Sequence, residues 1–194
     1  MIKAIIFDCF GVLSTESFGV FRDKYLADQL AKREQANQAM DSLNAGTISY
    51  LDFVKELAKL AKINEGTVQD YLSQNQPNDP LFSYIRKKLK PSYKIGMLSN
   101  AGEDWLEELF SKEDINLFDD IILSFKFGVI KPDPKIYELA AQRLGLKPGE
   151  CVFIDDQTKH CEGAKQVGMQ AVWYQSLNQM AAELEPILSA KTNN

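Results

Sequence analysis

The chain is poor in the residue types that metal and redox folds depend on: one histidine and three cysteines in 194 residues. Cys9, Cys151 and Cys161 are odd in number and do not fall at zinc-ligand spacing, which argues against a disulfide framework or a structural zinc site. Reduced thiols in a cytoplasmic protein are the expectation. No Gly-x-Ser-x-Gly elbow surrounds Ser99, and a single histidine leaves a serine triad short of alternatives. No Gly-x-Gly-x-x-Gly follows the first apolar run, so a dinucleotide-binding module is not indicated. No apolar stretch reaches membrane-spanning length, and the first strand pattern starts too early to leave room for a signal peptide. The net charge of −5 comes without any Lys/Arg-rich stripe, which excludes nucleic acid and anionic membranes as expected partners. Internal repeats and low-complexity segments are absent too.

What is present suits a soluble globular chain: 45% hydrophobic and 25% charged residues, enough to bury one ordinary core with a small insertion. Five short runs read as strands, at 3–8, 93–99, 120–123, 151–155 and 170–174. Most are continuously apolar, as expected for parallel strands covered on both faces. Helical spacing fills 104–111, 135–144, 159–167 and 177–184, with Gly145 and Gly168 as stops. This alternation predicts right-handed crossovers and a doubly wound parallel five-stranded α/β sheet of Rossmann-like type.

One stretch departs from the alternation. Residues 14–79 contain no convincing strand, only helix-like segments such as 21–33 and 50–61, interrupted at Asn44-Ala45-Gly46 and Ile63-Asn64-Glu65-Gly66. That is too long for a connecting loop, so it is expected to be an all-helical mini-domain, with 1–13 and 80–194 forming the core. It is placed to fold over the carboxyl ends of the strands as a lid, although a packing lobe without a gating role fits the same pattern. Its apolar residues Phe18, Phe21 and Tyr25 suit a site wall, a helical core or a subunit contact, so monomer and homodimer both remain open. Residues 190–194 read as a frayed end.

In open parallel sheets ligands bind outside the carboxyl ends of the strands. The first strand ends in Asp8, the second in Ser99-Asn100 and the fourth in Asp155-Asp156; Ser124 follows the third, with Lys131 a short loop beyond. Two acidic strand ends, a hydroxyl and a lysine on one edge would make a compact site for an anion and a metal. Each alone has a plainer account, since strand-closing aspartates often only form turns or cap helices.

The segments Asp8-Cys9-Phe10-Gly11, Leu98-Ser99-Asn100, Lys131-Pro132-Asp133-Pro134 and Phe153-Ile154-Asp155-Asp156, in this order and spacing, resemble the haloacid dehalogenase superfamily. The run Glu162-Gly163-Ala164, with Gly168-Met169 beyond it, is also similar to that family. The resemblance extends over essentially the whole chain, and residues 14–79 would be the family's small helical cap. It implies Asp8 as nucleophile and Mg²⁺ held by Asp8, Asp156 and the Phe10 main-chain carbonyl, with Asp155 holding metal-bound water or pairing with Lys131. Ser99 and the Asn100 amide would bind a substrate oxygen, Lys131 would balance charge, and the turn at Gly11 would offer further amides to the anion. The implied substrate is a small phosphorylated metabolite.

Phe10 departs from the phosphatases of this family, which carry a second aspartate there to protonate the leaving group. Three readings follow. A phosphohydrolase or phosphotransferase could borrow its proton donor from the cap, where Glu16, Asp23 and Asp28 are candidates. A near-inactive relative would bind a phosphorylated ligand or a protein partner. A 2-haloacid dehalogenase would also carry an aromatic residue there, but Asp155-Asp156 argues against it, and Arg22 and Arg33 give no evident halide site. His160, one helical turn after Asp156, would either touch the metal's water shell or lie on the surface.

Overall fold

The computed structural model describes residues 1–190; positions 191–194 of the expected frayed end lie outside the described residues. Five strands, β1 (Ala4–Phe7), β2 (Lys94–Ser99), β3 (Asp120–Leu123), β4 (Cys151–Asp155) and β5 (Gln170–Trp173), form one parallel sheet in the order β3-β2-β1-β4-β5. The apolar runs are continuous because both faces are covered. Ile5, Phe7, Ile95, Met97, Val152 and Ile154 share one buried cluster, while Ala4, Ile6, Leu98, Cys151 and Phe153 share the other. Each fully buried Ile or Phe contributes roughly 1.5–3 kcal/mol relative to exposure.

The helices are α1 (Ser17–Tyr25), α2 (Leu30–Asn44), α3 (Tyr50–Ala61), α4 (Glu65–Leu72), α5 (Asp79–Tyr84), α6 (Leu106–Leu109), α7 (Lys112–Ile115), α8 (Pro134–Arg143), α9 (Thr158–Gln166) and α10 (Leu177–Ser189). Two differ from expectation. The segment 21–33 is not one helix: it breaks between Tyr25 and Leu30, where the exposed Ala27, Asp28 and Gln29 carry no face to bury. The segment 104–111 keeps a single helical turn, because Phe110 swings to extended backbone to bury its ring and Ser111 then caps α7. Helix α5 runs on into a π-helical turn at Ile85–Leu89, which places Ile85 and Leu89 in the core.

Helices α1 to α4 have their own buried cluster, including Phe21, Leu26, Phe53, Leu57 and Val68. The chain enters and leaves this lobe through two segments lying side by side. Ser14 bridges Pro77, the Thr15 amide donates to the Gln76 carbonyl at 3.0 Å, and the Asn78 amide donates to the Leu13 carbonyl at 2.8 Å. The lobe sits above the carboxyl ends of the strands and encloses with them a cavity of about 890 Å³.

Candidate active site

Parallel register sets the floor of that cavity. Phe7 pairs with Ile154, and the Asp8 amide donates to the Ile154 carbonyl at 2.8 Å, so Asp8 emerges beside Asp155 and Asp156. Lys131 enters from the loop after β3 with its side chain only 1% exposed, and its Nζ lies 2.7 Å from both Asp8 Oδ1 and Asp155 Oδ2. Asn100 holds that lysine by its backbone: the Lys131 amide donates to Asn100 Oδ1 at 2.8 Å, and Asn100 Nδ2 donates to the Lys131 carbonyl at 3.1 Å. The Phe153 ring lies 5.2 Å from Nζ.

The acids are electrostatically distinct. Burial and then the neighbouring Asp155 charge push the Asp8 carboxyl well above the usual carboxylate range, against the pull of Lys131. Asp155 is fully buried too, but Lys131 and His160 outweigh that burial and hold it below the usual range. Asp156 is raised to about 6, by burial first and by the Asp155 charge second. Burial works to lower Lys131, yet the two carboxylates overcome it and keep the ammonium charged.

His160 is neither on the surface nor free to wander. It is buried, and its Nδ1 meets Asp155 Oδ1 at 3.0 Å, while its carbonyl accepts the Tyr137 hydroxyl at 2.9 Å. Burial lowers the imidazole pKa more than the Asp155 bond restores it, so the ring is a neutral orienting group for Asp155.

Two groups expected to contact the anion are hydrogen-bonded within the protein. Ser99 is fully buried at the end of β2, its Oγ donating to the Asn100 carbonyl at 3.4 Å, and it does not line the cavity. Gly11 does not offer its amide to the cavity: that amide donates to the Ser14 carbonyl at 2.8 Å. Gly11 sits at φ +89°, and a Cβ there would overlap Asp156 Oδ2, so its contribution is to admit the Asp156 carboxylate. Ser124 is likewise withdrawn, donating to the Asn44 carbonyl at 2.6 Å and accepting from the Ala101 amide at 2.9 Å.

Asp8, Phe10, Asn100, Lys131, Asp156 and His160 all line the cavity. Asp8, Asp155 and His160 also present ligand atoms within 4.8 Å of one another, but the Lys131 ammonium already bridges Asp8 and Asp155 there. A divalent cation is better served on the Asp156 side. Asp156 Oδ1 is buried with no hydrogen-bond partner among the described residues, and a hard cation such as Mg²⁺ takes oxygen donors of this kind. The residues present therefore fit the ion. The Phe10 ring lies against Trp105, centroids 4.7 Å apart, and forms an aromatic wall where an acid would otherwise stand. Trp105 lies outside every motif, and the helical spacing over 104–111 did not mark it as a site residue; it sits at the N-cap of α6.

A parallel α/β sheet presenting three aspartates around one lysine at its carboxyl edge, beneath a helical lobe, defines a class of hydrolases. Within that class the chain belongs to the haloacid dehalogenase-like hydrolases, the family whose sequence pattern matches residues 2–168. It is 28% identical to a glyceraldehyde 3-phosphate phosphatase of Methanopyrus kandleri, over 89% of this chain and 83% of that protein. It is 30% identical to (S)-2-haloacid dehalogenase 4A of Burkholderia cepacia, over 44% of this chain and 38% of that protein. Its fold is that of a family enzyme from Bacteroides thetaiotaomicron solved with magnesium and inorganic phosphate, with a TM-score of 0.70 at 20% identity, covering 91% of this chain and 96% of that one. Among the described residues no helix is long and apolar enough to cross a membrane.

Proposed function

We propose that the chain is a Mg²⁺-dependent phosphohydrolase or phosphotransferase acting on a small phosphorylated metabolite through a phosphoryl group carried on Asp8. The observation that carries this reading is the orphaned Asp156 Oδ1, a buried acceptor left without a protein partner beside the Asp8 floor. An uncompensated buried acceptor costs on the order of 1–3 kcal/mol, and a cation would relieve it. Asp8, Asp156 and the Phe10 carbonyl would hold Mg²⁺, which when bound screens the repulsion between a carboxylate and a phosphate dianion.

The chain's own groups then divide the work. Lys131 holds Asp8 Oδ1 at 2.7 Å, which fixes the carboxylate and leaves its attack directed into the cavity. Asp155 and Asn100 keep that lysine in place, from its ammonium and its backbone respectively. An Asp8 oxygen bonds to phosphorus as the alcohol departs, and water later cleaves the phosphoryl-Asp8 bond to return the free carboxylate. The helical lobe over the strand ends is proposed as the cap that excludes bulk water during both steps.

Purified protein with Mg²⁺ is expected to hydrolyse an activated aryl phosphate; Asp8→Asn abolishes it, and chelation of the metal suppresses it. Absence of turnover across a panel of phosphate esters, with Mg²⁺ binding intact by calorimetry, refutes the reading. The Phe10–Trp105 wall favours one other chemistry, attack of Asp8 on a carbon–halogen bond, which needs no leaving-group proton. Halide release from a 2-haloacid without metal would select it.

A further inference from the structure

An alkoxide leaving group needs a proton, and Phe10 has none to give. Five acids other than Asp8 and Asp156 line the cavity: Glu16, Glu34, Asp41, Glu103 and Glu108. The last four are exposed, and Glu16 is the one withdrawn from solvent. The two other candidates from the cap fall away. Asp28 is exposed and off the cavity wall, while Asp23 is likewise off it and bound to Arg33 Nη2 at 2.6 Å. Glu16 stands at the start of the lobe, just after the Ser14–Pro77 crossing, near enough to Asp156 for its charge to raise that carboxyl.

Its carboxyl is also oriented. Glu16 Oε2 accepts the Gly19 amide at 2.7 Å, and a Cβ at Gly19 would lie 2.5 Å from that oxygen, so only a bare Cα lets α1 close around it. Helix capping alone explains this poorly, because serine, threonine, aspartate and asparagine cap helices better than glutamate does. Glu16 lines the cavity while one of its carboxyl oxygens is held on the helix. Burial raises the Glu16 carboxyl, ahead of the opposing Gly19 and Phe18 amides and the Arg22 charge, which favours the protonated acid.

Resting on the phosphohydrolase reading, we propose that Glu16 is the catalytic acid and base that replaces the missing aspartate at position 10, and that the substrate is a phosphate monoester of an unactivated alcohol. As Asp8 bonds to phosphorus and the phosphorus–alcohol oxygen bond breaks, the Glu16 carboxyl proton passes to the departing alkoxide. The Glu16 carboxylate then takes a proton from water as that water's oxygen bonds to phosphorus, releasing inorganic phosphate and free Asp8.

The test compares leaving groups. The first equivalent of alcohol released is timed for glycerol phosphate and for p-nitrophenyl phosphate, in wild type and Glu16→Gln, with intact-mass detection of phosphoryl-Asp8. The expected loss in Glu16→Gln is on the order of 10²–10⁴-fold for glycerol phosphate and at least tenfold smaller for the aryl ester. Phosphoryl-Asp8 is expected to accumulate with the aryl ester, because water attack has lost its base. Phe10→Asp in the Glu16→Gln background is expected to recover the glycerol phosphate rate, which also shows that the background folds. Equal losses on both esters, or no loss on either, overturn the assignment of Glu16 while leaving the phosphohydrolase standing. A wild type inert on both esters removes the parent reading and this one together.

Discussion

Lys131 is enclosed by two carboxylates and a phenyl ring, and it is among the largest fully buried side chains of the protein. Removing its charge leaves Asp8 and Asp155 as buried acids with no counter-ion. Breaking a buried pair from one side costs roughly 3–5 kcal/mol. Lys131→Met is therefore expected to lower stability by about that amount in urea unfolding and to abolish turnover; a loss below about 1 kcal/mol would mean that water or protein relaxation already screens the two acids. The positions of Asp8, Asp155 and Asp156 along one edge follow from a simple rule, that polar residues ending apolar strands face the same crevice, and Lys131 joins them from the loop after β3. His160 escaped that rule. Its neighbours in sequence, Lys159 and Glu162, are exposed and charged, and nothing local announces that a histidine at the start of a helix turns inward to a carboxylate. Ser99, the hydroxyl that ends β2, is fully buried, and a strand-end motif does not by itself show how deep its side chain lies.

Asp119, just ahead of β3, ties two strands together. Its amide donates to the Ile95 carbonyl at 2.7 Å, and its Oδ2 accepts the Ile95 amide at 2.7 Å and Lys90 Nζ at 2.8 Å. Burial works to raise this carboxyl, but the Lys90 bond and charge and the Ile95 amide outweigh it and hold it below the ordinary value. The folded state thus binds fewer protons than the unfolded chain in acid. The stabilisation is present above the unfolded pKa of about 4 and is lost as pH falls through the depressed folded value. Asp119→Ala is expected to cost about 1–3 kcal/mol at pH 6 and to converge on wild type as the pH falls through the depressed folded value, read as urea midpoints at each pH. A gap independent of pH would assign the effect to backbone packing. The strands themselves were legible because continuous apolar runs of four to six residues admit few other structures between helices. The break between α1 and α2 was not: no glycine or proline marks it, and it falls where Leu26 is buried in the lobe while residues 27–30 are exposed.

How the lobe is held over the sheet determines whether the cavity can open. Besides the two crossing segments, the end of α2 meets the loop after β2 and the turn after β3. Ser124 Oγ donates to the Asn44 carbonyl, and a Cβ on Gly102 would overlap the Leu43 side chain. Such a seam, with the Ser124–Asn44 hydrogen bond and close contacts at Gly102 and Gly46, is worth little beside the two cores, so it can part without unfolding either. Gly102→Ala is expected to push Leu43 away from the core. Amide exchange at positions 43–47 should quicken at least tenfold while exchange in β1 and β4 stays as slow as in wild type. Ser124→Ala should move the same amides by a smaller step, since it removes one hydrogen bond with a net contribution of about 0.5–1.5 kcal/mol. If Gly102→Ala instead quickens exchange throughout the sheet, lobe and sheet open as one cooperative unit, and a cap that moves independently over Asp8 is ruled out.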